Sequence, residues 1–175
     1  MTIVTQVVFS IGSNLGDRAA YLGRAVAGLA EVGEVRAVSG VYETPPWGDP
    51  DQPSYYNAVL IVTGDLTVEE WLAAAMRIEQ ESLRSREQVP RTLDIDLIAA
   101  WTDEGVPIIR DSDELTLPHP RAHQRAFVLR PWLEIQPYAQ LPGHGWVNDL
   151  VLSDALADDV AAMTALPHIQ IQSSP

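Results

Sequence analysis

Short apolar runs alternate with longer stretches of helical spacing over residues 6–100, which predicts four strands and two helices. In chain order these are a strand at 6–11, a helix at 18–31, strands at 35–42 and 55–63, a helix at 67–84 and a strand at 92–100. Asp17 suits the N-cap of the first helix, and Thr67 with Glu70 forms a capping-box signature for the second. The order β-α-β-β-α-β predicts a ferredoxin-like α+β core, an antiparallel sheet flanked by helices on one face.

The pattern beyond residue 100 is less regular. Extended pieces are predicted at 106–109 and 115–117, a helix at 123–130 with a separate piece at 132–135, and a last helix at 147–156. No segment has the composition of a linker. We therefore predict one domain over residues 1–152 and a C-terminal extension over 153–175 that is partly frayed.

Composition and charge narrow the classes of function. Hydrophobic residues make up 46% of the 175 residues and charged residues 20%, as in a globular protein with a core. The formal net charge of −13 disfavours a nucleic-acid partner. No apolar run is long enough for a membrane helix and the N-terminus lacks a basic signal-peptide region, so we predict a cytoplasmic protein without a membrane partner. The absence of Cys excludes disulfides and thiolate zinc sites.

All eleven cationic residues are Arg, and the chain contains no Lys. This excludes P-loops, Schiff-base enzymes and kinase sites that depend on Lys. Eight of the eleven lie between Arg77 and Arg130. Because the guanidinium fork suits bidentate phosphate binding, this clustering favours an anion site in that part of the chain.

The predicted strand at 92–100 carries two acids. Leu93, Ile95 and Leu97 would face the core, which places Asp94 and Asp96 together on the opposite face, roughly 6.5 to 7 Å apart. The pair alone favours a solvated strand face over a site for two Mg²⁺ ions that carry a polyphosphate. The Arg residues nearby shift the balance towards phosphate chemistry, although surface ion pairs would also account for them. These neighbours are Arg84, Arg86, Arg91, Arg121 and Arg125.

Three further segments each allow a functional and a structural interpretation. Residues 12–17 could form a phosphate nest, but a tight structural turn explains them better. The stiff loop at 44–48 with Trp47, together with Tyr55 and Asn57, would suit a flat heterocycle with donors and acceptors, or simply a packed loop. His119 lies between two prolines, where it could donate to a phosphate or play a structural role.

Together, these segments resemble the 6-hydroxymethyl-7,8-dihydropterin pyrophosphokinase family. The matching stretches are SIGSNLGDR, VYETPPWG, DQPSYYNAV, RTLDIDLI and LTLPHPRAHQRAFVLRPW. They occur in the family order and cover about residues 7–150. The resemblance implies a monomer that transfers pyrophosphate from ATP to the pterin hydroxymethyl group in folate biosynthesis, releasing AMP and using two Mg²⁺ ions.

The resemblance also implies roles for single residues. Asp94 and Asp96 would hold both metals and, with Arg84 and Arg91, form the catalytic group. Tyr55 and Phe127 would sandwich the pterin, whose other contacts are Thr44, Pro45, Pro46, Trp47 and Asn57. The ATP contacts would be Glu79, Arg86, Leu115, Thr116, His119 and Arg125.

The chain departs from the family pattern before its acidic strand. The family usually carries Arg-Trp-Gly there, whereas this chain has a shorter Arg86–Arg91 segment without Trp or Gly. We therefore expect substrates to bind but turnover to be slow. Met76 and Glu114 also differ from many members, which predicts weaker nucleotide contacts. Two alternatives remain: another Mg²⁺-dependent phosphotransferase, or a non-catalytic ferredoxin-like ligand-binding domain.

Overall fold

The computed structural model describes residues 4–83 and 93–172. The strands are β1 (Thr5–Ser13), β2 (Glu34–Val38), β3 (Val41–Thr44), β4 (Tyr55–Gly64), β5 (Leu93–Thr102), β6 (Arg110–Asp111), β7 (Thr116–Leu117), β8 (Gln140–Leu141), β9 (Gly145–Trp146) and β10 (Thr164–Leu166). The α-helices are α1 (Arg18–Val32), α2 (Val68–Leu83), α3 (Ala126–Ile135), α4 (Val147–Val151) and α5 (Ala157–Ala161), with short 3₁₀ turns at Ala122–Gln124 and Asp154–Leu156. None of the helices in these two ranges is long and apolar enough to cross a bilayer.

The main sheet is antiparallel, with strand order β10-β3-β4-β1-β5, and β2 pairs with β4 beside β3. β1 therefore lies between β4 and β5. Its Gly12 is opposite Asn57 on one side and Asp94 on the other, and its Ser10 is opposite Asp96. A fold of helices and antiparallel sheet is thus confirmed.

Two cores explain why β1 is apolar on both faces. Val7, Phe9 and Ile11 pack in a cluster with residues of α1 and α2, whereas Val8 belongs to a second cluster with α3 and α4. Since side chains alternate along a strand, helices cover both faces of the sheet. The two helices of the predicted core, α1 and α2, share one face, and the other face is covered by α3 and α4, which come from beyond residue 100.

The predicted caps of the first two helices are confirmed. The Asp17 side chain accepts a hydrogen bond from Ala20 N at 3.1 Å. Thr67 N donates to Glu70 Oε2 at 2.8 Å, and Glu70 N donates to Thr67 Oγ1 at 3.2 Å. Each bond satisfies a backbone N–H that has no partner within its helix.

The predicted strand at 35–42 is wrong as a single element, because it divides into β2 and β3. Ser39 separates them: its N donates to Val59 O at 2.8 Å, and its hydroxyl accepts from Val59 N at 2.9 Å. A side chain thus replaces one backbone partner where the strand breaks.

Two helix predictions in the C-terminal half are also corrected. The helix predicted at 123–130 begins at Ala126 and continues to Ile135, with Pro131 inside it. Val128, Leu129 and Trp132 are fully buried, and this burial maintains the helix despite the missing Pro N–H. The predicted helix at 147–156 divides into α4 and a 3₁₀ turn.

Within the predicted C-terminal extension, residues 164–171 contact the rest of the fold. β10 pairs with β3 in the main sheet, and Ile171 is buried in the core that contains α1 and α2. No local pattern announces β10, because its partner β3 lies more than a hundred residues earlier in the chain.

Candidate active site

A pocket of about 190 Å³ opens where β1, β4 and β5 approach the loop after β3. Nine of its lining residues are predicted site residues, and two others, Ser10 and Gly12, belong to β1. The lining comprises Ser10, Gly12, Thr44, Pro45, Trp47, Tyr55, Asn57, Asp94, Asp96, Arg125 and Phe127. The fold therefore brings together the predicted pterin contacts except Pro46, both acids and one predicted ATP contact.

Gly12 forms part of the floor of the pocket. A Cβ at this position would lie 2.6 Å from Asn57 Oδ1 and 3.5 Å from Tyr55 Cδ1, so only Gly leaves room for both side chains. β1 continues through Gly12 to Ser13, and the tight turn predicted for residues 12–17 begins only after it. The glycine with a left-handed backbone is Gly16, whose φ is +72°.

Asn57 supplies the polar side of the pocket. It is only 4% exposed, and its Nδ2 donates to Thr44 Oγ1 at 2.7 Å. This bond joins β3 to β4, where Thr44 is opposite Tyr55. It fixes the amide plane, leaving Oδ1 as an acceptor and one N–H as a donor.

Aromatic side chains line other parts of the pocket. Trp47 is 45% exposed and lies against Arg125, whose guanidinium carbon is 5.0 Å from the Trp47 ring and 5.6 Å from the Phe127 ring. Burial raises the pKa of Tyr55, and the nearby Asp94 carboxylate raises it further. Its hydroxyl therefore stays protonated near neutral pH.

Asp94 and Asp96 both face the pocket from β5, as the alternation of the sequence predicted. Burial is the main cause that raises the pKa of Asp94, followed by repulsion from Asp96, while Arg125 opposes both. Arg125 Nη1 lies 3.7 Å from Asp96 Oδ2. Arg125 Nε is buried without a hydrogen-bond partner in the described parts of the chain. The site thus holds crowded carboxylates and an unsatisfied cationic donor.

Glu79 approaches the same acids from α2. Its Oε1 accepts a hydrogen bond from Ile95 N at 3.0 Å. Burial raises its pKa to about 7; the Ile95 bond counteracts that shift, and Asp94 and Asp96 add to it. Glu79 therefore extends the acidic region that a bound cation would stabilise.

A second groove begins at Asp96 and leads away from the pocket. Its lining includes Leu115, Thr116 and His119, all predicted ATP contacts. His119 Nδ1 accepts a hydrogen bond from Arg121 N at 3.1 Å. Burial lowers the pKa of His119, with Arg125 as the next cause, so the ring is neutral and its Nε2 carries the proton.

The donor set fits Mg²⁺ that is held partly by phosphate. In residues 4–83 and 93–172, no group of three or more His, Cys, Asp or Glu residues is arranged to hold a metal ion. Mg²⁺ in proteins is commonly bound by one or two carboxylates together with substrate phosphates and water. Asp94 and Asp96 supply two such carboxylates. Because the two charges are crowded together, a bound cation would stabilise both of them.

The remaining predicted site residues cannot be placed. Arg84, Arg86 and Arg91 lie outside the described residues, as does the shortened segment on which the slow turnover depends. Ser10 and Gly12 were missed as site residues, although both occupy positions on β1 that alternate with apolar side chains. That alternation was the available signal, because it places them on the same face as each other.

The chain is similar to proteins of one known family. A family model described as 7,8-dihydro-6-hydroxymethylpterin-pyrophosphokinase (HPPK) matches residues 8–137. A 2-amino-4-hydroxy-6-hydroxymethyldihydropteridine pyrophosphokinase of Mycobacterium tuberculosis is 47% identical over 146 residues, covering 79% of this chain and 76% of the relative. The Bacillus subtilis protein of the same name is 38% identical over 130 residues, covering 72% and 75%.

Solved structures show the same fold at much lower identity. A Plasmodium falciparum HPPK-DHPS chain matches with a TM-score of 0.67 and 12% identity. The match covers 93% of this chain but 46% of that one, so this chain spans less than half of the solved protein. At this identity the likeness concerns the fold alone.

Proposed function

We propose that pyrophosphoryl transfer takes place in the pocket between β1, β4 and β5. The chain belongs to the 7,8-dihydro-6-hydroxymethylpterin-pyrophosphokinase family. It is an enzyme that transfers pyrophosphate to hydroxymethyldihydropterin in folate synthesis, with ATP as co-substrate. Family membership does not favour another phosphotransferase or a non-catalytic binding domain.

One observation carries the location of the site: a single pocket is lined by Asn57, by the rings of Tyr55 and Phe127, and by both acids of β5. We assign the pterin to the aromatic part, where the Asn57 amide would pair with ring donors and acceptors. Thr44, Pro45 and Trp47 would complete this subsite. The hydroxymethyl group would then be directed towards Asp94 and Asp96.

Asp94 and Asp96 would hold two Mg²⁺ ions. When bound, such ions supply charge stabilisation for the transferred phosphoryl groups. The protein's own part is to present two carboxylates on a rigid strand and to keep them partly out of water. The pterin hydroxyl oxygen would form a bond to the β-phosphorus of ATP as the bond between that phosphorus and the α,β-bridging oxygen breaks. AMP would leave with the bridging oxygen, and the hydroxyl proton would pass to water.

The nucleotide would extend from the acids into the groove at Leu115, Thr116 and His119. The protonated Nε2 of His119 and the Nε of Arg125, which has no partner among the described residues, are donors that suit phosphate oxygens. Glu79 would contact the nucleotide side of the metal site. The roles of Arg84, Arg86 and Arg91 stay predictions from the resemblance.

The finer structural assignments are proposals as well. We propose a ferredoxin-like class for the β1–β5 region, because its chain order is β-α-β-β-α-β once β2 and β3 are counted together. The pyrophosphokinase domain would occupy residues 1–152, and residues 153–175 would form an extension. The monomeric state and the cytoplasmic location stay predictions.

The decisive experiment measures AMP release from ATP with and without 6-hydroxymethyl-7,8-dihydropterin, over a range of Mg²⁺ concentrations. We expect AMP only when pterin and Mg²⁺ are both present. Asp94→Asn should lower the rate by about a hundredfold or more, whereas the matched control Asp103→Asn, an exposed acid beyond the other end of β5, should not. ADP as product, or full activity of Asp94→Asn, would contradict the proposal.

A further inference from the structure

The C-terminal segment 157–171 lies beyond the part of the chain that the family model matches, which ends at residue 137. It consists of α5, β10 and the stretch that ends at Ile171. Neither the family match nor the site assignment gives this segment a role. Three sets of contacts connect it to the pterin pocket.

The first contact is the pairing of β10 with β3. Thr164, Ala165 and Leu166 are opposite Glu43, Tyr42 and Val41. On its other side, β3 pairs with β4, where Thr44 is opposite Tyr55. Tyr42 and Glu43 are therefore paired on both sides, whereas Val41 pairs with β10 and Thr44 with β4. The chain passes from Thr44 directly into the pocket loop.

The second contact is behind that loop. The C-terminal segment and the outer side of the pterin subsite line a common cavity of about 70 Å³. Asp159, Ala162 and Met163 line one side of the cavity. The other side is formed by residues that include Pro45, Trp47 and Phe127, which also line the pterin pocket. The segment therefore backs the same side chains that would enclose the pterin.

The third contact anchors the end of the segment. Ile171 is 8% exposed and belongs to the core cluster that contains Leu22 and Val26 of α1. Its carbonyl oxygen lies 3.7 Å from the position that a Cβ on Gly23 would occupy. Because the segment is fixed at α1 on one side and at α3 through α5 on the other, β10 is held against β3.

We propose that the C-terminal segment is a positioning element of the pterin subsite, which fixes β3 and thereby the loop at 44–47. The inference rests on the proposed location of the pterin. The segment acts through β3 and the loop and does not touch the reacting atoms. Its loss should therefore weaken pterin binding while leaving the nucleotide groove at Thr116 and His119 intact.

Ala165→Pro in the full chain tests this inference. Proline removes a backbone N–H and fixes φ, so it disrupts a three-residue strand, yet Ile171 remains in place. Ala165→Val is the matched control, because it retains the N–H and favours a strand. A chain that ends at Met163 is a second variant. Because it removes β10 altogether, its effect does not depend on whether the Ala165 N–H points towards β3. Hydrogen exchange at Val41–Thr44 reports whether β3 has lost its partner.

We expect Ala165→Pro and the shortened chain to raise the KM for pterin by about tenfold, with the KM for ATP and kcat within about twofold of wild type. Ala165→Val should behave like wild type. The inference is overturned if exchange at β3 accelerates while the KM for pterin is unchanged, or if both KM values rise in parallel with a loss of thermal stability. Wild-type protein that forms no pterin-dependent AMP would instead contradict the proposed function itself.

Discussion

Gly12→Ala is the change that tests the pocket most directly. The new Cβ would lie 2.6 Å from Asn57 Oδ1, about 0.8 Å short of the 3.4 Å at which ordinary contact begins. Gly12 is on a strand with neighbours on both sides, so β1 cannot move away without disturbing β4 or β5. The Asn57 side chain must therefore shift.

The size of the effect of Gly12→Ala on pterin affinity follows from these contacts. Overpacking a filled site by one methyl group costs about 1–3 kcal/mol. If Asn57 rotates, its hydrogen bond to Thr44 is also lost, at a cost of about 1 kcal/mol. If the loss of pterin affinity falls in the same range of 1–3 kcal/mol, the dissociation constant rises about 5- to 150-fold.

Pterin affinity can be measured by fluorescence titration and ATP affinity by a separate titration in the same buffer. We expect a selective loss of pterin affinity. Gly23→Ala is the matched control, because its Cβ would meet only Ile171 O at an ordinary 3.7 Å. If Gly12→Ala is folded and binds pterin as tightly as wild type, Asn57 does not contact the pterin in the manner proposed.

Three further predictions concern stability and pH. The pKa of Glu79 is raised from 4.5 to about 7 in the folded state, so its contribution to stability is complete below pH 4.5 and is lost as the pH rises to about 7. Over this range, metal-free Glu79→Gln should lose less melting temperature than wild type. If the melting temperature of the variant falls with pH as steeply as that of wild type, the assignment is contradicted. Because ionised Asp94 is unfavourable in the folded state, Asp94→Asn should raise the melting temperature of the metal-free protein at pH 7, and a lower value would count against this. Trp71→Ala should lower the free energy of unfolding by about 3–5 kcal/mol in a denaturant titration. Trp71 is fully buried, and its Nε1 donates to Thr5 Oγ1 at 2.8 Å. A substrate KM that changes more than about twofold would contradict a purely structural role.

Local patterns predicted those parts of the fold whose partners are close in sequence. The caps at Asp17 and Thr67 need only residues three positions away, and both are confirmed. The alternation on β5 placed Asp94 and Asp96 on one face without any tertiary information. These features follow from backbone geometry, which a sequence specifies directly.

The errors arise where distant contacts decide the outcome. Gly12 was attributed to a turn, whereas its place is set by Asn57 on a neighbouring strand, 45 positions later. Separate pieces were predicted at 123–130 and 132–135, on either side of Pro131, but the burial of Trp132 and its neighbours keeps α3 continuous. β10 was not predicted at all, because three residues carry no periodic signal and its pairing with β3 closes a loop of about 120 residues.

The charged side chains in this pocket are unfavourable for the stability of the folded protein, so their placement points to a function. Burial makes the Asp94 carboxylate unfavourable, and repulsion from Asp96 increases that cost. Among the described residues, Arg125 is the charge that opposes this cost; it lies 3.7 Å from Asp96, and its Nε has no hydrogen-bond partner there. A sequence optimised for stability alone would place amides or apolar residues at these positions. The acids are best explained by a ligand that brings cations and phosphate together, since such a ligand would stabilise the carboxylates and satisfy the guanidinium at the same time.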